Sequence, residues 1–241
     1  MIFQGFQKTT LLDYPGHVAG IVFVGGCNLR CPYCHNSRLV RNENNPDAFS
    51  EEEVLSFLRK RTGLIDGLCI SGGEPTLYTE LPAFIRRVKQ LGFLIKLDTN
   101  GTNPDMLRLL LQEQLLDYVA MDIKASKERY QQITGFAGIS YERIQESLSL
   151  LLSSDMEYEF RTTVVRELHD ADMIRDIATE IKGCKRYYLQ NYKDSGDVLI
   201  HAMMQVETGC QPEPLLSSFS EEEAMLLLQA ARESVPHTEL R

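Results

Sequence analysis

The chain has 241 residues, of which 43% are hydrophobic, and its 25 Lys+Arg against 34 Asp+Glu give a formal net charge of −9. That length allows one or two domains with a sizeable core, while the acidic balance leaves no basic footprint for nucleic acid. No apolar run reaches the ~18 residues of a membrane span, and Met1 to Thr10 lacks the apolar stretch of a secretory signal, so a cytoplasmic protein is expected.

In chain order, Ala19-Gly20-Ile21-Val22-Phe23-Val24 is a short apolar, β-branched run ending in Gly25-Gly26, and it reads as a buried strand. Directly after it come Cys27, Cys31 and Cys34 in a C-x3-C-x2-C loop, followed by His35 and Asn36. Arg38 to Ala48 is polar and Asn-rich and reads as a loop. Ser50 then opens a helix: it is the N-cap, Glu53 completes a capping box, and Phe49 can staple to Val54. Further strands are predicted at Leu64 to Ser71, Phe93 to Leu97, Tyr118 to Lys124, Tyr158 to Val165 and Arg186 to Leu189. Helices are predicted between them, at Glu80 to Leu91 closed by Gly92, Pro104 to Leu116 with proline in the first turn, Tyr141 to Leu152, and Asp172 to Ile181. Tyr192 to Ser218, with Pro212 and Pro214, reads as a loop-like tail. Phe219-Ser220-Glu221-Glu222-Glu223 repeats the capping chemistry and starts a last helix that runs to about Ser234.

Strands alternating with helices at this spacing mean βα units around a parallel sheet. Six units are too few to close an eight-stranded barrel. No domain boundary is visible, so one domain over 1–241 is expected, with a core of about 7–192 and a C-terminal extension of about 193–241.

Three cysteines within eight residues can close on one metal centre. They are one short of the four thiolates that saturate an iron–sulfur cluster or a structural zinc, so a cubane held there leaves one iron open. A Cys3His zinc site is the alternative, although His35 directly beside Cys34 is poor spacing for two ligands of one tetrahedral ion. Cys69, Cys184 and Cys210 are scattered and read as small core or surface thiols. Gly72-Gly73-Glu74, Asp98-Thr99-Asn100-Gly101 and Asp122-x-Lys124 fall, like the cysteine loop, at or near the C-terminal ends of successive predicted strands. Alone, each is ordinary: a turn, an Asx-turn, a half-solvated pair. Together and in order, they converge on the mouth where barrel chemistry sits.

The run from Cys27 to Asn36, with Tyr33 before the third cysteine, resembles the cluster loop of radical SAM enzymes, and most of all that of the glycyl-radical-enzyme activases. The resemblance covers roughly Gln7 to Tyr192. It implies an α/β fold, an open partial (β/α)6 barrel with a C-terminal helix. It implies a [4Fe-4S] cluster on Cys27, Cys31 and Cys34 whose open iron binds the amino and carboxylate groups of S-adenosylmethionine. The implied reaction is reductive cleavage of that cofactor to methionine and a 5′-deoxyadenosyl radical, which takes a hydrogen atom from a glycine of a partner protein.

The same resemblance assigns residues. Tyr33 and Gly72-Gly73-Glu74 are similar to cofactor-contacting elements, the latter meeting the methionine amino group through its backbone. Asp98-Thr99-Asn100 looks like the element near the ribose. Asp98, Thr99 and Asp122 also match positions that bind a monovalent cation in pyruvate formate-lyase activases, with the fourth ligand falling at Ala120, where only a backbone carbonyl can serve; such oxygen donors suit a hard cation. Lys124 matches a lysine that neutralises the cofactor carboxylate, and Arg161 an arginine near the same ligand. Asp13, in Asp13-Tyr14-Pro15-Gly16, matches an aspartate close to the glycyl peptide; read without the resemblance, the run is a Pro-Gly turn.

Lys8 to Gly16 as a whole is more similar to the branch that activates anaerobic ribonucleotide reductase. There is no second C-x2-C group, and Lys193 stands where the formate-lyase branch has a histidine. The implied partner is therefore an anaerobic ribonucleoside-triphosphate reductase, with pyruvate formate-lyase as the alternative, and the implied electron donor is flavodoxin or ferredoxin. A non-catalytic iron–sulfur or zinc binding module is the alternative of another class; it has no need of a ligand-shaped mouth built from Gly72-Gly73-Glu74 and Asp98-Thr99-Asn100.

Overall fold

A computed structural model describes residues 1–43, 45–135, 138, 140–194, 196, 198–208 and 215–241, with the backbone alone over 204–208. The chain starts with β1 (Ile2–Thr10), which runs antiparallel to β2 (Ala19–Val24), and β3 (Phe49–Ser50) pairs back onto β1. From β2 onward the sheet is parallel: β4 (Gly67–Gly72), β5 (Leu94–Thr99), β6 (Tyr118–Asp122), β7 (Glu157–Val164), β8 (Tyr187–Asn191) and the short β9 (Glu239–Leu240). The strand order is β3-β1-β2-β4-β5-β6-β7-β8-β9. β3 and β9 are free edges, so the sheet is an open partial barrel of the expected kind.

The helices are α1 (Ser37–Val40), α2 (Glu51–Arg59), α3 (Leu81–Gln90), α4 (Pro104–Gln112), α5 (Tyr130–Thr134), α6 (Tyr141–Leu152), α7 (Ala171–Glu180), α8 (Leu199–Thr208) and α9 (Glu221–Arg232). Both predicted capping boxes form, Ser50 with Glu53 and Ser220 with Glu223.

The two faces of the sheet differ in chemistry because side chains alternate along a strand. Leu68, Ile70, Ile95, Leu97, Val119, Met121, Phe160 and Leu189 are fully buried in one core with Val54, Phe84, Leu107, Ile144 and Ile174 of the helices. Each such side chain contributes about 1.5–3 kcal/mol, so this outer face holds the fold together. The alternate positions Cys69, Ser71, Lys96, Asp98, Tyr118, Asp122, Glu159 and Arg161 bond to one another across neighbouring strands and form the charged inner face. The N-terminal end of that face is plugged by a small cluster of Tyr14, Ala19, Tyr118 and Ala120.

The structure departs from the sequence-based expectations at several places. The tail expected as a loop from Tyr192 to Ser218 contains α8, and the loop expected from Arg38 contains the end of α1. Pro212, Pro214 and Cys210 lie outside the described residues. β4 begins at Gly67 rather than Leu64, and α4 ends at Gln112 rather than Leu116, because Gln114 takes a left-handed conformation with φ 53° that an α-helix cannot contain. β5 continues through Asp98 and Thr99, which therefore sit on the strand and not in the turn after it.

Candidate active site

The cysteine loop leaves β2 through Gly25 and Gly26 and is fastened at both ends. Gly26 N–H donates to the Leu39 carbonyl at 2.7 Å, and Arg30 N–H to the Thr134 carbonyl at 2.7 Å. The first amides of α8 donate to the loop's own carbonyls, Leu199 to Cys34 at 2.9 Å and Ile200 to Pro32 at 3.0 Å. The tail that the sequence leaves unstructured thus clamps the loop from outside, where orphan helix-start N–H groups meet orphan loop oxygens.

Cys27, Cys31 and Cys34 line a single cavity of about 470 Å³, within the roughly 300–1,000 Å³ typical of small-molecule sites. Burial pushes the Cys27 thiol up to about 11 and the Cys31 thiol up to about 12. Among the described residues, no three His, Cys, Asp or Glu side chains gather closely enough to hold a single metal ion. His35 turns instead to the Tyr192 ring, 5.4 Å away between centroids. Three thiols spread around a cavity suit a cubane, in which each thiolate binds a different iron, better than a lone tetrahedral zinc. The Leu29 amide 3.4 Å from Cys27 Sγ and the Asn100 side-chain amide 3.8 Å from it supply the hydrogen bonds that thiolates in such sites take up.

Gly72-Gly73-Glu74 arrives against this loop. The Gly73 and Glu74 amides donate to the Val24 and Gly26 carbonyls, each at 2.9 Å. A Cβ on Gly73 would collide with the Gly26 carbonyl, so the second glycine is required by contact between β4 and the end of β2. Gly72 and Gly73 line the cavity, whereas the Glu74 side chain lies beneath it and is fully buried. Burial pushes the Glu74 carboxyl upward, opposed by donors from Thr76, Thr99 Oγ1 at 2.7 Å and the Asn100 amide at 2.7 Å. Asn100 itself joins Asn28 and Thr102 in a ring of hydrogen bonds: Asn100 Nδ2 to Asn28 Oδ1 at 2.9 Å, Asn28 Nδ2 to Thr102 Oγ1 at 2.8 Å, and Thr102 Oγ1 to Asn100 Oδ1 at 2.6 Å. These two motifs therefore tie β4 and β5 to the cysteine loop.

The same cavity is also lined by Asp98, Asp122, Lys124 and Arg161. Arg161 Nε donates to Asp122 Oδ1 at 2.8 Å, and its guanidinium also lies 3.8 Å from Asp98 and 3.9 Å from Glu159. Lys124 Nζ donates to Asp122 Oδ2 at 3.0 Å. Burial alone would raise the Asp122 carboxyl; Arg161 and Lys124 reverse that and hold it well below the usual carboxylate range. Burial likewise opposes the Lys124 charge, and the Asp122 carboxylate outweighs it and keeps the ammonium protonated. Asp13 comes from the hairpin between β1 and β2, at the opposite ends of the strands from the cysteines, yet its side chain lines the same cavity and accepts from Thr10 Oγ1 at 2.5 Å.

The structure brings further residues to this site that the sequence reading missed. Ser71, Thr163 and Gln190 line the cavity, and their alternation with inner-face neighbours was the available signal. His169 is 4% exposed and fixes Lys124 from behind. Its Nδ1 accepts from the Val165 amide at 3.1 Å, so Nε2 carries the proton and donates to the Lys124 carbonyl at 3.1 Å. Its ring also packs edge-on to Tyr33, 6.0 Å between centroids. Burial lowers the His169 imidazole below its usual range. With the folded pKa below an unfolded value of about 6.5, this residue's contribution to stability is complete above that value and is lost as pH falls from it towards the folded value. The unfolding temperature should therefore drop between about pH 7.5 and about pH 5.5, and drop less in His169→Phe; equal drops in the two proteins would disprove this role.

The radical SAM superfamily profile matches residues 21–179, more than half of the chain. A Methanocaldococcus jannaschii protein described as a glycyl-radical enzyme activating enzyme is 34% identical over 203 residues, which is 80% of this chain and 82% of that one. The pyruvate formate-lyase 1-activating enzyme of Escherichia coli is 29% identical over 177 residues, 70% of each chain. Among solved structures, SuiB of Streptococcus suis bound to precursor peptide SuiA superposes with a TM-score of 0.66 at 12% identity, over 92% of this chain and 48% of that one, so this chain spans about half of SuiB. A domain of pyruvate-formate lyase-activating enzyme from Bacteroides vulgatus gives a TM-score of 0.55 at 17% identity, over 73% of this chain and 99% of that one. At those identities the two structures speak for the fold alone. No helix among the described residues is long and apolar enough to cross a membrane. With the profile match and the Methanocaldococcus relative spanning most of both chains, this protein belongs to the radical SAM superfamily, in its glycyl-radical-enzyme activating branch, an enzyme family that works with a [4Fe-4S] cluster and S-adenosylmethionine.

Proposed function

We propose that this enzyme activates an anaerobic ribonucleoside-triphosphate reductase by taking a hydrogen atom from one of its glycines. The observation that carries the reading is the convergence of Cys27, Cys31, Cys34, Lys124, Arg161 and Asp13 on one cavity. Cys27, Cys31 and Cys34 would hold the cluster, which with bound S-adenosylmethionine supplies the electron that breaks the sulfonium and the carbon radical that takes the hydrogen. Lys124, held charged by Asp122, would meet the cofactor carboxylate, with Arg161 fixing the same wall. The Gly73 and Glu74 amides are spent on β2 and its turn, and the Gly72 carbonyl takes the Asn36 side-chain amide at 3.4 Å, so the Gly73 carbonyl would be the one to accept from the cofactor amino group. Tyr33 would pack against the cofactor, Asp98, Thr99 and Asn100 would lie towards its ribose, and Asp13 would touch the glycyl peptide. Residues 1–241 would act as one radical SAM domain in the cytoplasm, with a flavodoxin or ferredoxin as electron donor.

Three features support the reductase as target: the Lys8 to Gly16 run, the lack of a second C-x2-C group, and Lys193 in place of a histidine. Pyruvate formate-lyase is the second reading, favoured by the match to the Escherichia coli enzyme. The test mixes the reduced, cluster-loaded protein and cofactor with each partner in turn and records electron paramagnetic resonance. A stable glycyl doublet is expected on the reductase, with about one cofactor consumed per radical, because a radical that has abstracted one hydrogen is spent. Asp13→Ala should lower radical yield more than uncoupled cofactor cleavage. A doublet on formate-lyase alone would transfer the assignment to that partner, and no doublet on any glycyl radical enzyme would overturn it altogether.

A further inference from the structure

The oxygen set Asp98, Thr99, Asp122 and the Ala120 carbonyl, which matches a monovalent-cation site in pyruvate formate-lyase activases, is already satisfied by the protein itself. Asp98 accepts from Lys96 Nζ on one oxygen and from Ser71 Oγ at 2.9 Å on the other. Both Asp122 oxygens are taken, by Arg161 at 2.8 Å and Lys124 at 3.0 Å. The Thr99 hydroxyl donates to Glu74 at 2.7 Å and accepts from the Gly101 amide at 3.1 Å. Ala120 lies inside the ladder, in register with Asp98 and Glu159, where backbone carbonyls are used by neighbouring strands. A hard cation needs several oxygens with lone pairs to offer, and these do not fit one.

Charge leads to the same place. Four cations, Lys96, Lys124, Arg161 and Arg241, face four carboxylates, Asp13, Asp98, Asp122 and Glu159. A further cation would stand uncompensated in a buried bore. Lys96 is 2% exposed, and an ammonium is tolerated at such depth only when paired.

We infer that Lys96 is a built-in counter-cation, doing for Asp98 what a dissolved monovalent ion would otherwise do, so that the cofactor site works without such an ion. The inference rests on the reading that this cavity holds the cofactor. It gives a role to a buried lysine that neither lines the cavity nor belongs to any motif singled out in the sequence. Lys96 acts through Asp98 and Arg161, so it is a positioning residue and touches no reacting atom.

The test uses the cluster-loaded protein, transferred into a tetramethylammonium salt, whose cation is too large for an oxygen cage, and returned to sodium or potassium at matched ionic strength. S-adenosylmethionine affinity is measured by calorimetry, the unfolding temperature without cofactor, and sodium binding by the relaxation of the sodium-23 resonance. The parent should keep its affinity within about twofold, hold its unfolding temperature, and show no saturable sodium relaxation. Lys96→Met, which keeps length and removes charge, should lose affinity on the order of tenfold in tetramethylammonium and regain it in sodium or potassium. A parent that weakens about tenfold without small cations, or relaxes sodium saturably, overturns the inference, as does a folded Lys96→Met indifferent to cations. If Lys96→Met does not fold, the parent arms decide. A protein that binds no S-adenosylmethionine in any salt refutes the reading of the cavity, and the stability and relaxation arms still judge Lys96.

Discussion

Alanine in place of any one of Cys27, Cys31 or Cys34 should abolish the iron–sulfur centre, whereas Cys69→Ala, Cys184→Ala and Cys210→Ala should leave about four irons and four sulfides per chain after anaerobic reconstitution. Two thiolates cannot anchor a cubane that three hold with one iron already open. Burial makes these thiols costly to ionise, with Cys27 pushed up to about 11 and Cys31 up to about 12, so the metal has to supply the free energy that keeps them as thiolates, and losing one ligand removes a share of it. Cys69 is spent elsewhere, fully buried on the inner face 3.7 Å from Lys96 Nζ, and Cys184 is part of the apolar core. Iron and sulfide assays with the visible charge-transfer band read the outcome. Stoichiometric zinc with no iron uptake in anaerobically prepared protein would refute the centre, and iron retained in Cys31→Ala would refute its ligand set.

The parallel core was legible because most strands from β2 to β8 are short, largely apolar or β-branched runs ended by glycine or polar residues, and several helices carry capping chemistry: Ser50 and Ser220 before α2 and α9, Pro104 at the start of α4 and Gly92 after α3. The site was legible as a convergence: the loops after β2, β4, β5 and β6 meet at one cavity, as strand order requires. What the sequence hid has physical reasons. β1 reads as polar, since Gln4, Gln7, Lys8 and Thr9 interrupt its apolar residues, and its pairing with β2 comes from the hairpin. α8 is apolar but follows a glycine-containing loop, and its start is fixed by the carbonyls of Pro32 and Cys34, far away in sequence. Glu74 was read as part of an element that meets the cofactor through its backbone and Asn100 as lying near the ribose; that the Glu74 side chain also ties the end of β4 to β5, and the Asn100 side chain ties β5 to the cysteine loop, was not legible, because a polar residue at a strand end looks the same in either role. Lys96 was passed over because a lysine on a strand ordinarily points to water, and only its place on the inner face of β5, two residues before Asp98 and in register with Cys69 and Tyr118, makes it internal.

Arg161 and Lys124 share Asp122 but are expected to fail differently when removed. Arg161→Leu strips the group that bridges Asp122 at 2.8 Å and Asp98 at 3.8 Å, leaving the buried Asp122 without its main counter-charge. Breaking such a buried pair costs about 3–5 kcal/mol, which for a chain of this size lowers the unfolding temperature by roughly 10 °C. Arg161→Lys should not restore it, because a lysine has no planar fork to hold two acids at once. Lys124→Met leaves Asp122 with Arg161 and should cost only about 1–2 kcal/mol of stability. It removes the ammonium that faces the cavity, and cofactor affinity should fall on the order of 30-fold, about 2 kcal/mol, with the iron content unchanged. Thermal unfolding and calorimetric titration of the two variants side by side separate the effects. If Lys124→Met binds S-adenosylmethionine as tightly as the parent, the carboxylate sits elsewhere; if Arg161→Leu unfolds at the parent's temperature, the bore is not held by this ion-pair network.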